Sequence, residues 1–384
     1  VKAGWQTRKL GELLQIQNGY AFDSKKFSPS GEMPLIRIRD LKTGIDTETK
    51  YSGDYDEKYV VRSGDFLIGM DGEFGCYEWK GKPALLNQRV CRLQDFDTAL
   101  LPRFLFYGVN SHLKEIEDIT GFTTVKHISS RQILDIDFPS PPFSEQQRIV
   151  SILDAAFDGI ATAKAKAEQN LLNARALFES HLQSVFTQRG EGWVEKKLSD
   201  VCAITSTLVD PRKDAFLDLT HVGAGNIESQ TGAFVDLKTA KEEGLISGKF
   251  LFDGSMVLYS KIRPYLMKVA RPNFNGLCSA DMYPLTPFPN EITRDYLFHL
   301  LLSKSFTDYA IQGSARAGMP KVNREHLFEY RTWLPDVKVQ KKLTAQLDAL
   351  HEETQRLASL YQRKLAALDE LKKSLLHQAF SGEL

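Results

Sequence analysis

Apolar residues recur at alternating steps of three and four in two stretches of the chain. The first runs through Ile149, Leu153, Ala156, Ile160, Ala163, Ala167, Ala174 and Leu177, the second through Leu343, Leu347, Leu350, Leu357, Leu368, Leu371 and Leu375. Such spacing keeps side chains on one helix face and forms a heptad seam. It predicts long helices over 144–188 and 336–384. Pro141-Pro142 stops whatever precedes the first, and Ser144 with Gln147 three residues on makes a capping box. One seam is alanine-rich and the other leucine-rich, so close antiparallel pairing within the chain is expected. About 40 residues at 1.5 Å each give about 60 Å, a rigid spacer.

The remaining segments, 1–143 and 189–335, hold short alternating or apolar runs bounded by Gly, Asp and Pro. Examples are Leu35-Ile36-Arg37-Ile38-Arg39, Phe66-Leu67-Ile68 and Met256-Val257-Leu258-Tyr259. These read as strands, with helical patterns at Pro102 to Lys114 and Arg294 to Tyr309. The two halves are also related to each other. Gln146-Gln147-Arg148-Ile149 through Leu153-Asp154 recurs 194 positions later as Gln340-Lys341-Lys342-Leu343 through Leu347-Asp348, and Ser180, Leu182 and Phe186 recur at the same offset. The chain is a tandem repeat of one large unit. The expected fold class is α+β: two globular strand-rich domains separated by two long helices that pair as an intramolecular antiparallel coiled coil.

Composition changes the picture in three ways. Lys plus Arg and Asp plus Glu each total 49 of 384 residues, so any nucleic-acid binding must come from local cationic surfaces rather than overall charge. The four cysteines form no disulfide framework, which fits a reducing cytoplasm, and no Cys or His pair has metal-ligand spacing. No apolar run approaches the roughly 20 residues of a membrane helix, and Val1 to Trp5 has no signal-peptide core. A protein of the cytoplasm with no membrane partner is expected.

Among motifs, Ser140-Pro141-Pro142-Phe143 matches the short loop with which amino-methyltransferases hold a flipped base. A stand-alone adenine methyltransferase would also need a glycine-rich cofactor site upstream, and none precedes it. The same prolines serve equally to end a strand before a capped helix. Gly223-Ala224-Gly225 has Glu228 where a dinucleotide fingerprint needs its third glycine, and no phosphate-loop signature occurs. Basic clusters are the better lead. Residues 78–92 hold Lys80, Lys82, Arg89 and Arg92 against Glu78 alone, and residues 249–272 hold Lys249, Lys261, Arg263, Lys268 and Arg271 against Asp253 alone. Each cluster taken singly reads more readily as a solvated surface with ordinary salt bridges.

With these features the chain resembles the specificity subunit of type I restriction-modification systems. The resemblance rests on Glu145-Gln146-Gln147-Arg148-Ile149 after a proline pair, and on the ending Ser374-Leu375-Leu376-His377-Gln378-Ala379-Phe380-Ser381-Gly382-Glu383-Leu384. It rests also on Gly64-Asp65-Phe66-Leu67-Ile68, Leu86-Asn87-Gln88-Arg89-Val90 and Leu258-Tyr259-Ser260-Lys261-Ile262-Arg263-Pro264. It implies target-recognition domains at 1–143 and 189–335, spacer helices at 144–188 and 336–384, and a pseudo-twofold repeat. It further implies a DNA-reading subunit with no catalysis and no cofactor of its own. Each domain would read half of a bipartite target in double-stranded DNA. Two modification subunits would carry S-adenosylmethionine, and restriction subunits would bring ATP and Mg to the complex. Self-association of the free chain through exposed docking surfaces is a further expectation. A non-catalytic coiled-coil adaptor is the rival that leaves the two globular segments unexplained.

Candidate DNA contacts for the first half-site are Arg37, Arg39, Lys42, Lys80, Asn87, Gln88, Arg89 and Lys126. For the second they are His221, Lys261, Arg263, Lys268, Arg316 and Lys321. Arg, Asn and Gln suit base edges, and the lysines suit phosphates.

Overall fold

The computed structural model describes residues 4–120, 126–314 and 319–384. They form two compact units, one of residues 1–166 with 364–384, the other of residues 167–363.

In the first unit, strands Gln15–Asn18, Val90–Gln94, Phe66–Gly69 and Gly75–Glu78 lie side by side in that order as an antiparallel sheet. A second sheet has the order Phe27–Ser28, Lys50–Tyr51, Met33–Ile36, Ala84–Leu86, Val60–Val61, with one parallel pair in which Leu35 faces Leu85. A ribbon of Gln6–Lys9 and Asp137–Ser140 ties the start of the domain to the strand that leads into the first long helix. The core gathers Leu10, Leu13, Ile68, Phe104 and Phe138 with Leu153 and Ala379 from the long helices. Helix Pro102–Ile119 contributes Phe104, and its Gly108 has no side chain because a Cβ there would collide with the Phe380 ring.

The second unit repeats this frame. Its four-stranded sheet runs Cys202–Ala203, Met282–Pro287, Val257–Ser260, Val269–Ala270. Its five-stranded sheet runs Leu208–Val209, Lys249–Phe252, Gly276–Cys278, Thr220–Val222, Lys238–Thr239, again with one parallel pair, here His221 facing Leu277. Four of the five strands correspond. The fifth differs: Phe27–Ser28 extends one edge in the first domain, whereas Leu208–Val209 extends the opposite edge in the second. The helical pattern expected at 294–309 is two helices, Arg294–Leu302 and Lys304–Gln312. They break at Ser303, whose hydroxyl accepts from Phe306 N at 3.3 Å.

The long helices are Phe143–Thr187 and Val337–Ser381. Within the first unit they run antiparallel: Lys164 Nζ is 2.7 Å from Asp369 Oδ1, the Lys372 ammonium lies over Phe157, and Arg148 reaches the Leu384 carbonyl. Within the second, Phe178 packs on His351 at 4.6 Å between centroids. Phe178, not Leu177, occupies the seam; Leu177 is 54% exposed. A straight helix turns once per 3.6 residues, so a strict heptad pattern drifts off the contact face after about four repeats.

A buried glutamine joins each domain to its helix. Gln146 Oε1 accepts from Leu101 N at 2.8 Å, while its Nε2 donates to Ala99 O and Pro141 O at 2.8 and 2.9 Å. Gln340 makes the same three bonds, to Thr293 N, Glu291 O and Pro335 O, at 2.9, 2.9 and 3.0 Å. Both side chains are fully buried, so their amide groups are satisfied by these bonds rather than by solvent.

Candidate nucleic-acid interface

The two sheets of each domain send their loops to a common end. In the first domain Arg37 to Asp40 follow Ile36, Asn87 to Arg89 follow Leu86, and Met70-Asp71 follow Gly69. Residues 126–128 close the cluster: Gly72 N donates to Lys126 O, and Ile128 N to Met70 O, both at 2.9 Å. In the second domain the matching positions are Lys261 to Arg263, Ser279 to Asp281 and Pro320 to Val322. Arg263 N donates to Pro320 O at 2.9 Å and Val322 N to Lys261 O at 2.8 Å. The match extends to the third loop, where Met70 N donates to Arg89 O and Lys261 N to Asp281 O. Thus Asp71 corresponds to Ile262, Gly72 to Arg263, Arg89 to Asp281 and His127 to Lys321.

The chemistry at these positions differs between the domains. Asp71 accepts from the Arg89 guanidinium, and the His127 ring Nδ1 lies 2.6 Å from its other oxygen. Burial works to raise the Asp71 pKa, but the bonds from His127 and Arg89 outweigh it and hold the carboxyl below its ordinary range. In the second domain the acid is Asp281, 3.7 Å from Lys261 Nζ and 3.5 Å from Lys321 Nζ. Burial and the nearby Lys321 charge push the Lys261 pKa down, against the pull of Asp281, while its ammonium also sits over the Tyr283 ring. Each domain therefore presents an acid flanked by two basic side chains, with the acid supplied by a different loop.

The sequence-predicted residues divide accordingly. Arg37, Arg39, Lys42, Gln88 and Arg89 are exposed at this end, Lys42 pairing with Glu73 at 2.6 Å and Arg39 with Thr49 at 3.2 Å. Lys126 turns its ammonium to the Glu117 carbonyl at 2.6 Å. Lys80 leaves the far end of its hairpin, since Glu78 faces Phe66 whereas Gly75 faces Gly69. Asn87 is buried, because the chain at Gly19 and Tyr20 lies directly on its backbone. His221 is also buried: it is an inward position of the parallel pair, held 2.9 Å from Glu243, and burial lowers its pKa. Neither of these two presents its side chain to a ligand at the surface. Lys268 braces the adjacent turn by donating to Ala224 O at 2.6 Å. Lys321 and Lys261 share Asp281, and Arg263 stands exposed beside them. Arg316 lies outside the described residues.

Sequence reading missed Asp71, His127 and Asp281, which no local pattern marks, and Tyr20, an exposed aromatic beside Gln88. It also missed Asp154 and Asp348 as anchors, although both lie inside the 194-residue repeat. Ser140 to Phe143 finish a strand and open a helix, with Pro141 O bound by Gln146. Gly223-Ala224-Gly225 belongs to a single 3-10 turn.

Two divergent domains on one frame, each with a long helix and a polar loop end, define a class of two-domain proteins built by tandem repetition. The model of the type I restriction modification DNA specificity domain matches residues 2–172 and 190–362. The chain is 27% identical to the EcoDI specificity subunit of Escherichia coli over 413 residues, covering 99% of this chain and 88% of that protein. It is 27% identical to the EcoBI specificity subunit of the same organism over 412 residues, covering 99% and 86%. In fold it is similar to a chain solved in work on assembly and conformational transition of the type I R-M system, with a TM-score of 0.72 at 18% identity and coverage of 100% and 99%. It is also similar to the HsdS subunit from Thermoanaerobacter tengcongensis, with a TM-score of 0.59 at 18% identity and coverage of 100% and 98%. The chain belongs to the family of type I restriction-modification specificity subunits. Its role is DNA target recognition, and the family is non-catalytic. Among the described residues no helix is long and apolar enough to cross a membrane.

Proposed function

We propose that each domain reads one half of a bipartite duplex target through its polar loop end, and that the paired helices set the gap. The observation that carries this is the matched loop cluster in both domains, equivalent in backbone and different in charge. Two readers of equal frame and unequal chemistry call for an asymmetric two-part site. A 45-residue helix is about 67 Å long, enough to span half-sites about 34 Å apart. In this reading two modification subunits dock on the repeated surfaces and bring S-adenosylmethionine, and restriction subunits bring ATP and Mg. The complex works in the cytoplasm, and free chains self-associate through the docking surfaces.

The test is methyl transfer from labelled S-adenosylmethionine to random-sequence duplex DNA, with and without a co-expressed modification subunit, followed by sequencing of methylated fragments. Activity only with the partner, at a two-part motif of fixed gap, is the expected result. Activity from the chain alone would return Ser140 to Phe143 to consideration as a catalytic loop.

A further inference from the structure

We propose that Arg89 and Arg263 are the base-reading arginines of the first and second domains, each addressing a guanine edge in its half-site. This rests on the two-part recognition proposed above and assigns the residues that perform it.

Both arginines hold left-handed backbone, with φ of 72° for Arg89 and 48° for Arg263. That region is unfavourable for any residue with a Cβ other than Asn or Asp. It persists at functional positions, where the side chain is worth the strain. The frame itself shows how the strain is avoidable. At the position of Arg263 the first domain has Gly72, with φ of 77° and the same backbone bond to the closing segment. Glycine adopts that conformation without strain. The turn requires positive φ, and the second domain meets it with an arginine. At the position of Arg89 the second domain has Asp281, which is not left-handed. There the frame accepts ordinary backbone, and the first domain departs from it. Among the described residues each domain thus carries one strained arginine at the same end of its sheets, from a different loop.

The side chains fit the role. The Arg89 side chain is 58% exposed, and one terminal nitrogen is bound by Asp71, which is itself fixed by His127. A guanidinium has five N–H donors, so a fork remains for the O6 and N7 acceptors of guanine in the major groove. Arg263 is exposed and makes no side-chain hydrogen bond or ion pair among the described residues. Proline follows it, and the turn Pro264–Leu266 that it begins ends in Met267, also left-handed, whose side chain packs on the core. Among the described residues the other left-handed ones with side chains are Asp95 and Asp236, a type that tolerates the region, and Gln230.

The experiment profiles base preference at every target position for the complex of chain and modification subunit, using methylation of random-sequence duplex DNA. The variants are Arg263→Gly, Arg263→Lys and Arg89→Lys. Arg263→Gly installs the residue of the other domain. It is expected to raise the melting temperature while preference at one G·C pair of the second half-site falls about tenfold, the first half-site being unchanged. Arg263→Lys keeps the charge and loses the same preference, and Arg89→Lys does so in the first half-site alone. Unchanged preference at every position, or weakening that is uniform across sequences, overturns the assignment while leaving two-part recognition standing. A wild-type complex that yields no two-part motif removes both.

Discussion

At the loop end of the first domain Asp71 receives Arg89 and His127; at the same end of the second, Asp281 receives Lys261 and Lys321. A parallel exchange lies where each domain meets its long helix. In the first, Arg103 joins Glu78 at 3.1 Å and Asp154 at 2.8 Å. In the second, Arg271 joins Asp295 at 2.9 Å and Asp348 at 2.6 Å. Strand register makes Glu78 the counterpart of Arg271, and helix position makes Arg103 the counterpart of Asp295. The arginine and one acid have traded places, while the helix acid is common. On the next turn Tyr107 donates to Asp154 where His299 meets Asp348 at 2.8 Å. Even the helix pairing trades: Lys372 covers Phe157 in one unit, and Phe178 covers His351 in the other. Paired substitutions preserve each contact while altering who supplies it; the glutamine and aspartate on the helices stay fixed.

The fixed part is expected to show the largest effect. Replacing Gln340 by Ala leaves Pro335 O buried, and Thr293 N and Glu291 O half-buried, without these partners. At about 1–3 kcal/mol for a buried group and less for a half-buried one, the loss is about 2–3 kcal/mol. Gln146→Ala should do the same to the other unit. Hydrogen exchange separates the two: Gln340→Ala lowers protection at 257–260 and spares 66–69, and Gln146→Ala reverses this. Loss at both strands in either variant would deny that each glutamine serves its own domain.

Next come the traded charges. Arg103→Asp alone sets three acids together, Glu78, Asp154 and the new one. Because these side chains are about a third exposed, screening limits the expected loss to about 1–2 kcal/mol. Adding Glu78→Arg rebuilds the arrangement of the second domain, and most of the stability should return. A double-mutant cycle by urea denaturation measures the coupling; a value near zero would mean that the correspondence of positions 78 and 271 is geometric only.

These exchanges explain what the sequence could and could not reveal. The long helices were legible because their apolar period is local, and the repeat was legible where no insertion interrupts it, as from Gln146 and Gln340 onward. Within the domains the correspondence drifts from 194 to 191 positions, since loops differ in length, so Gly72 and Arg263 never align in a plain reading. The partners of Asp71 lie 18 and 56 residues away, joined only once strands pair. Strain at Arg89 and Arg263 resides in torsions, which composition does not record. Asn87 and His221 look like surface readers by residue type, yet strand pairing turns both inward.

The comparison also sharpens with pH. Among the described residues, burial lowers the pKa of His221, His299 and His351 in the second unit, partly offset by Glu243 and Asp348, but of His112 alone in the first. A histidine depressed in the fold binds fewer protons there than in the unfolded chain, whose value is about 6.5. Its stabilisation is complete above that pH and is lost as pH falls toward the folded value. Stability of the second unit should therefore drop more steeply between about pH 7 and pH 5. His351→Phe, which installs the counterpart Phe157, should flatten that slope in hydrogen exchange at 257–260 and leave 66–69 as it was. Equal slopes in both units before mutation would remove the contrast.

The smallest effect on stability is expected at the loop ends themselves. Asp71→Asn removes one charge from a cluster whose partners are more than half exposed, so the fold should change by no more than about 1 kcal/mol. What it takes away is the orientation of Arg89. The guanidinium keeps its charge and still meets phosphate, but no carboxylate holds its fork toward a base edge. Methylation profiles should then show weaker base preference in the first half-site and an unchanged second. Asp281→Asn should do the converse, freeing Lys261 and Lys321, which as point charges anchor phosphate more than they read bases. Its relaxation of sequence preference should accordingly be slighter than that of Asp71→Asn, and an equal or larger one would mean that the two acids do the same work in both domains.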